Sequence, residues 1–151
     1  MHKALREARR AFALAEVPVG AIIVHDNKII GRGYNTREIK QNPLHHAEII
    51  AINQAAKKLK SWRLLDCTLY VTLEPCTMCA GAIVHARIPT VVFGAWDPKA
   101  GACGSISNVL ADKKLNHQPV VITDICQPEC SQILKDFFKS VRLSSRALSS
   151  K

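Results

Sequence analysis

Thr68-Leu69-Tyr70-Val71-Thr72-Leu73-Glu74-Pro75-Cys76-Thr77-Met78-Cys79 decides how this chain folds. Its first half is a run of β-formers, which predicts a strand over residues 68–73. Pro75 suits the entry to a helix, where a missing N–H is no loss. Residues 78–86 then predict a short helix, which Pro89 ends. Cys76 and Cys79 stand at i and i+3, so they meet on one face of that helix's first turn. A strand running directly into a helix is the repeating unit of an α/β protein.

The pattern continues on both sides. Residues 90–95 predict the next strand, 96–104 a loop with Gly101 and Gly104, 105–111 a short helix, and 120–123 a fifth strand. Cys130, Leu134, Phe137 and Val141 mark one face of a last helix after Pro128. Upstream, Ile49, Ile52, Ala56 and Leu59 share a helix face, preceded by a polar loop over 36–45. Residues 19–24 are a nearly continuous apolar run, as expected of a strand buried on both faces. His25-Asp26-Asn27-Lys28 is a turn signal, and residues 29–35 complete a hairpin. Gly31 and Gly33 either weaken this second strand or admit another backbone closely. Ala4, Leu5, Ala8, Ala11, Phe12 and Ala15 fall at helical spacing and predict an amphipathic first helix, ended by Glu16-Val17-Pro18. The order after residue 45 predicts an α/β sandwich with parallel strands, behind an antiparallel hairpin. One domain over residues 1–143 is expected, followed by a Ser-rich, basic, disordered tail over 144–151.

The 151 residues are 48% hydrophobic, enough for one core. No apolar run approaches the length of a membrane span. The formal charge is +9, with basic residues gathered at the ends: Lys3, Arg6, Arg9 and Arg10, then Lys135, Lys139, Arg142, Arg146 and Lys151. That balance points to a polyanionic partner, nucleic acid first, against the plainer reading of a solvated surface. Of six cysteines, Cys76 and Cys79 form a Cys-x-x-Cys beside a His-x-Glu. This favours metal binding in a reducing compartment over a disulfide framework. Cys67, Cys103, Cys126 and Cys130 are expected to be free thiols, with Cys67 and Cys130 in the core.

His46-Ala47-Glu48 lies thirty residues before Cys76. Residues i and i+2 inside a helix point to nearly opposite sides. His46 and Glu48 can therefore serve one site only if His46 sits at the helix start. His46, Cys76 and Cys79 supply three zinc ligands and leave a fourth position for water, the mark of a catalytic site. Helix N-termini favour thiolates there. Glu48 stands close enough to take the water's proton. Taken singly, each residue has a plainer reading: a surface histidine, a redox pair or half a zinc finger, a helix-start acid. His45 could replace His46, but it would put Glu48 at i+3, off the His-x-Glu spacing.

His-x-Glu with Pro-Cys-x-x-Cys resembles the zinc-deaminase signature. The likeness is wider. Glu16-Val17-Pro18-Val19-Gly20-Ala21, Gly33-Tyr34-Asn35, Leu73 through Ile83, Phe93-Gly94-Ala95, Asp97-Pro98-Lys99 and Asp136-Phe137-Phe138 resemble the bacterial tRNA-specific adenosine deaminases, in the family's order over residues 1–142. That family lies in the cytidine/deoxycytidylate deaminase superfamily. The resemblance implies a three-layer α/β/α fold with a mixed five-stranded sheet. It implies zinc-dependent, hydrolytic conversion of adenosine to inosine at the wobble position of a tRNA anticodon. It assigns one Zn2+ per subunit to His46, Cys76 and Cys79, and proton transfer to Glu48. By the same carry-over Asn35 contacts the flipped base and Asp97 the ribose 2′-OH. Lys99 flanks the substrate, while Phe138 and Arg142 lie on a last helix that closes over the RNA. A cytoplasmic homodimer without membrane contact, binding the anticodon stem-loop, is implied. The chain departs from its relatives in having fewer residues before the first helix. It also departs in Trp96, where they more often carry a polar side chain.

Overall fold

A computed structural model describes residues 1–149, with side chains through 145. The elements follow in the order α1 (His2–Ala13), β1 (Gly20–His25), β2 (Lys28–Tyr34), α2 (Arg37–Lys40), α3 (Ala47–Leu59), β3 (Cys67–Leu73), α4 (Thr77–Ala86), β4 (Thr90–Ala95), a 3-10 turn (Val109–Ala111), β5 (Val120–Ile122) and α5 (Gln127–Ser149). The five strands form one sheet in the order β2-β1-β3-β4-β5. β1 is antiparallel to both β2 and β3, and β3, β4 and β5 run parallel. This is the expected mixed α/β sheet, with the hairpin at one edge.

Helices cover both faces. α3 and α4 pack Ala47, Ala51, Ala55, Ala80 and Ile83 against Ala21, Ile23, Leu69, Val71 and Phe93 of the sheet. On the other side Leu5 of α1 and Cys130 of α5 meet at Ala95. Leu69, Ile83 and Phe93 are fully buried, and each contributes about 1.5–3 kcal/mol relative to exposure. The edge-on contact of Phe12 with Phe137, centroids 5.7 Å apart, ties α1 to α5. Phe137 is core and Phe138 is exposed, which settles the division of labour between these adjacent rings. Cys67, Cys103 and Cys130 are buried free thiols; burial pushes their pKa values up to about 11, 12 and 12, so they are chemically quiet. Among the described residues no helix is long and apolar enough to cross a membrane.

Gly31 and Gly33 admit a backbone rather than merely weakening β2. A Cβ at Gly33 would overlap the carbonyl oxygen of Ala47, and one at Gly31 the carbonyl oxygen of Ala51. α3 therefore lies directly on the strand, with its first residue, Ala47, over Gly33. Gly33→Ala is expected to lift this end of α3 and destabilise the protein by about 1–3 kcal/mol, as overpacking does. Denaturant midpoints would measure the loss, and an unchanged midpoint would refute the contact.

Three expectations need correction. The loop over 36–45 contains a short helix, α2, closed by Gln41 in the left-handed region at φ 46°. The helix expected over 105–111 is only the 3-10 turn at its end; residues 105–108 instead form loop contacts. The last helix does not stop at 143 but continues to Ser149. Ser144 and Ser145 lie within the helix, and their hydroxyls donate to the carbonyls of Ser140 and Val141. The remainder of the expected tail, Ser150 and Lys151, lies outside the described residues.

Candidate active site

α3 and α4 begin side by side, and the ligand-type residues sit at their first turns. His46 is the N-cap of α3, with extended backbone at φ −78° and ψ 152°. Cys76 is the N-cap of α4, at φ −75° and ψ 175°. The extended N-cap is what lets His46 and Glu48 serve one site despite their i, i+2 spacing. The imidazole Nδ1 lies 3.6 Å from the Sγ of Cys76 and 3.6 Å from the Sγ of Cys79. The three ligand atoms fall within 4.8 Å of one another, and among the described residues this is the one group of its kind. His45 is not part of this group; its Nδ1 lies 3.2 Å from the hydroxyl of Thr36.

The electrostatics of this cluster fit a cation. The hydrogen bond from Cys79, with help from His46, pulls the Cys76 thiol down to about 4. The neighbouring Cys76 sulfur and burial push Cys79 the opposite way. The two thiols thus shift in opposite directions, because two adjacent thiolates repel without a positive charge between them. His46 is raised by its bond to Cys76, against the effect of burial. Two thiol sulfurs and an imidazole nitrogen at these separations suit a borderline-soft divalent metal, and three donors leave a position for substrate or water.

Glu48 is only 4% exposed, and burial pushes its carboxyl up to about 7. An acid of that strength both accepts and returns a proton near neutral pH. Glu48 lines a pocket of about 200 Å³ together with His46, Cys76, Asn35, Asp97 and Glu74. The site opens where β3 ends and two helices start, the usual place for ligands in an α/β sheet.

The pocket walls are held by two buried carboxylates that the sequence reading did not single out for this. Glu16, 1% exposed, accepts from the Nδ2 of Asn35 at 3.3 Å and from the backbone N–H of Ile39 at 2.7 Å. Asn35 also donates to the carbonyl of Val17 and accepts from the N–H of Arg37. Its carboxamide is thereby oriented at the pocket edge. Across the opening, Glu74 accepts from the N–H groups of Asp97, Cys103 and Ser105 and from the Ser105 hydroxyl. Burial opposes its charge, but these donors hold its carboxyl below the usual range. The one sequence signal for either acid is an acidic residue close to a proline at an apolar strand boundary.

Residues 1–142 match the model of the MafB19-like deaminases. The tRNA-specific adenosine deaminase of Bacillus subtilis is 46% identical over 147 residues, covering 97% of this chain and 91% of that protein. Its counterpart in Haemophilus influenzae is 51% identical, covering 94% and 83%. The chain belongs to the tRNA-specific adenosine deaminases. A solved structure from work on A-to-I editing by tRNA:A34 deaminases at the wobble position of transfer RNA superposes on this deaminase with a TM-score of 0.86. It is 42% identical and covers 89% of this chain and 97% of that one.

The outer residues of the deaminase divide. Asp97 lines the pocket, and its Oδ1 also accepts from the N–H groups of Lys99 and Ala100, so it shapes its own turn. Lys99, Phe138 and Arg142 are exposed and do not line the pocket. Phe138 and Arg142 share one face of α5 by their i, i+4 spacing. Trp96 is 41% exposed and packs edge-on against Phe93, centroids 4.9 Å apart, while its Nε1 donates to Asp124 at 2.9 Å. It braces the start of the 97–105 loop.

Proposed function

We propose that this deaminase converts adenosine to inosine at the wobble position of tRNA anticodons, with zinc held by His46, Cys76 and Cys79. The observation that carries this reading is one pocket lined by His46 and Cys76 of a His/Cys/Cys cluster and by a buried acid poised near neutrality. Zinc, when bound there, supplies Lewis acidity that lowers the pKa of water. Glu48 takes a proton from the attacking water and passes it to the purine ring as the new C6–O bond forms. It then carries that water's second proton, released as the C6 hydroxyl becomes a carbonyl, to the departing amino group; the C6–N bond breaks, and inosine and ammonia result.

Substrate recognition is assigned to the pocket edge and the basic surface. Asn35 presents an oriented carboxamide to the flipped base. Asp97 faces the ribose, where a hydrogen bond to the 2′-OH distinguishes RNA from DNA. Lys99, Phe138 and Arg142 contact the anticodon stem-loop outside the pocket, supported by a formal charge of +9. The working form is taken to be a cytoplasmic homodimer with one zinc per subunit.

The test is inosine formation on an anticodon stem-loop against free adenosine. The stem-loop is expected to have a kcat/KM at least about a hundredfold higher, since remote contacts supply transition-state binding. Equal values on the two substrates would replace the tRNA assignment with deamination of a free base or nucleoside.

A further inference from the structure

We infer that Glu74 is a positioning residue that fixes the 97–105 loop and, through it, the sugar selectivity of the pocket; this rests on the functional reading above. Glu74 follows directly on β3 and is 2% exposed. Each of its oxygens is filled twice. Oε1 accepts from the N–H of Cys103 at 3.0 Å and of Ser105 at 3.0 Å, and Oε2 from the N–H of Asp97 at 2.9 Å and from the Ser105 hydroxyl. A Cβ at Gly101 would overlap this carboxylate, so the loop is wrapped onto it without space to spare. The N–H of Ala102 donates to the carbonyl of Pro75 at 2.8 Å, and Cys76 pairs with Gly101, which closes the loop around the Glu74-Pro75-Cys76 segment.

Burying a carboxylate is costly, and its hydrogen bonds largely offset that cost rather than add net stability. What the arrangement does supply is geometry. Donors from three residues must converge on two oxygens, and one of them is the backbone of Asp97. The Asp97 side chain is then set by its own turn to Lys99 and Ala100. Glu74 thus acts on the substrate through Asp97, from a pocket wall both residues share.

The test compares wild type, Glu74→Gln and Ser105→Ala on two anticodon stem-loops that differ only in ribose or 2′-deoxyribose at the target adenosine. Glutamine turns an NH2 toward two of the donors, while Ser105→Ala removes one donor and leaves the rest of the loop intact. Both variants are expected to keep full zinc content. Glu74→Gln should raise KM for the ribose substrate about tenfold, the worth of one hydrogen bond, with kcat little changed. Its preference for ribose over deoxyribose should fall toward one, and Ser105→Ala should move it the same way by less. An unchanged sugar preference in both variants overturns the inference, as does a loss of activity that only tracks lost zinc. Wild-type protein that forms no inosine on either stem-loop overturns the functional reading, and this inference with it.

Discussion

Glu48→Gln is expected to lower kcat for inosine formation by about a hundred- to ten-thousand-fold, the usual worth of a positioned general acid-base. Zinc content and stem-loop affinity should hardly change. Glutamine matches the shape of glutamate, but it cannot accept the proton of the attacking water. The site makes the case specific: Glu48 is in the first turn of α3, 4% exposed, beside the ligand cluster and on the pocket surface. A protein that only bound RNA around a stabilising metal would have no use for an acid there. Activity surviving the substitution would therefore remove the proton-carrier role and restore that rival reading.

The same substitution has a second consequence, opposite in sign. Burial raises the Glu48 carboxyl from 4.5 to about 7. An acid whose folded pKa lies above its unfolded value releases its proton more readily on unfolding. In the metal-free chain it therefore costs stability progressively as pH rises from about 4.5 to about 7, and the cost levels off above that. The full difference is on the order of 3 kcal/mol. Metal-free Glu48→Gln should accordingly be more stable than metal-free wild type at pH 8, and the two should converge near pH 4. Urea titrations at both pH values read this directly. A gap that does not narrow at low pH would mean the carboxyl is not buried as described.

How much could be read in advance follows from where the information lies. The helix starts at His46 and Cys76 were legible because His-x-Glu spacing is incompatible with a helix interior, and Pro75 marks an entry. The hairpin and the parallel strands followed from apolar runs and turn residues. α2 was not legible, since Arg37-Glu38-Ile39-Lys40 is too short to show a period. Ser144 and Ser145 suggested a tail because they open a Ser-rich, basic terminal segment, yet here both lie in the helix and their hydroxyls bond back along it. Glu16 and Glu74 were invisible as loop anchors for a different reason. Their partners, Ile39 and Ser105, are 23 and 31 residues away, and only the folded sheet brings them together. The candidate site residues announced themselves by local spacing, and the residues that hold them in place did not.

Cys76→Ser is expected to reduce bound zinc from one per chain to a small fraction, with activity falling in proportion and the fold retained. Serine is a hard, neutral donor, whereas the Cys76 sulfur is already held as a thiolate, its pKa near 4. A chelator should do the same to wild type, and added zinc should restore it. Retention of the fold is what separates this centre from a structural zinc site. The main core is built from Ala47, Ala51, Leu69, Val71, Ile83 and Phe93 across α3, α4 and the sheet, and it includes neither His46 nor Cys76. Stripped protein should keep its far-ultraviolet circular dichroism and lose only the margin that ligand binding adds to the native state. If chelation instead unfolds the chain cooperatively, the metal is a staple, and the three-donor centre with a free position would have to be abandoned. If the fold and the activity both survive chelation, the deamination does not use a metal. Loss of activity with the fold intact is the outcome that a two-helix, three-ligand site on an independent hydrophobic core requires.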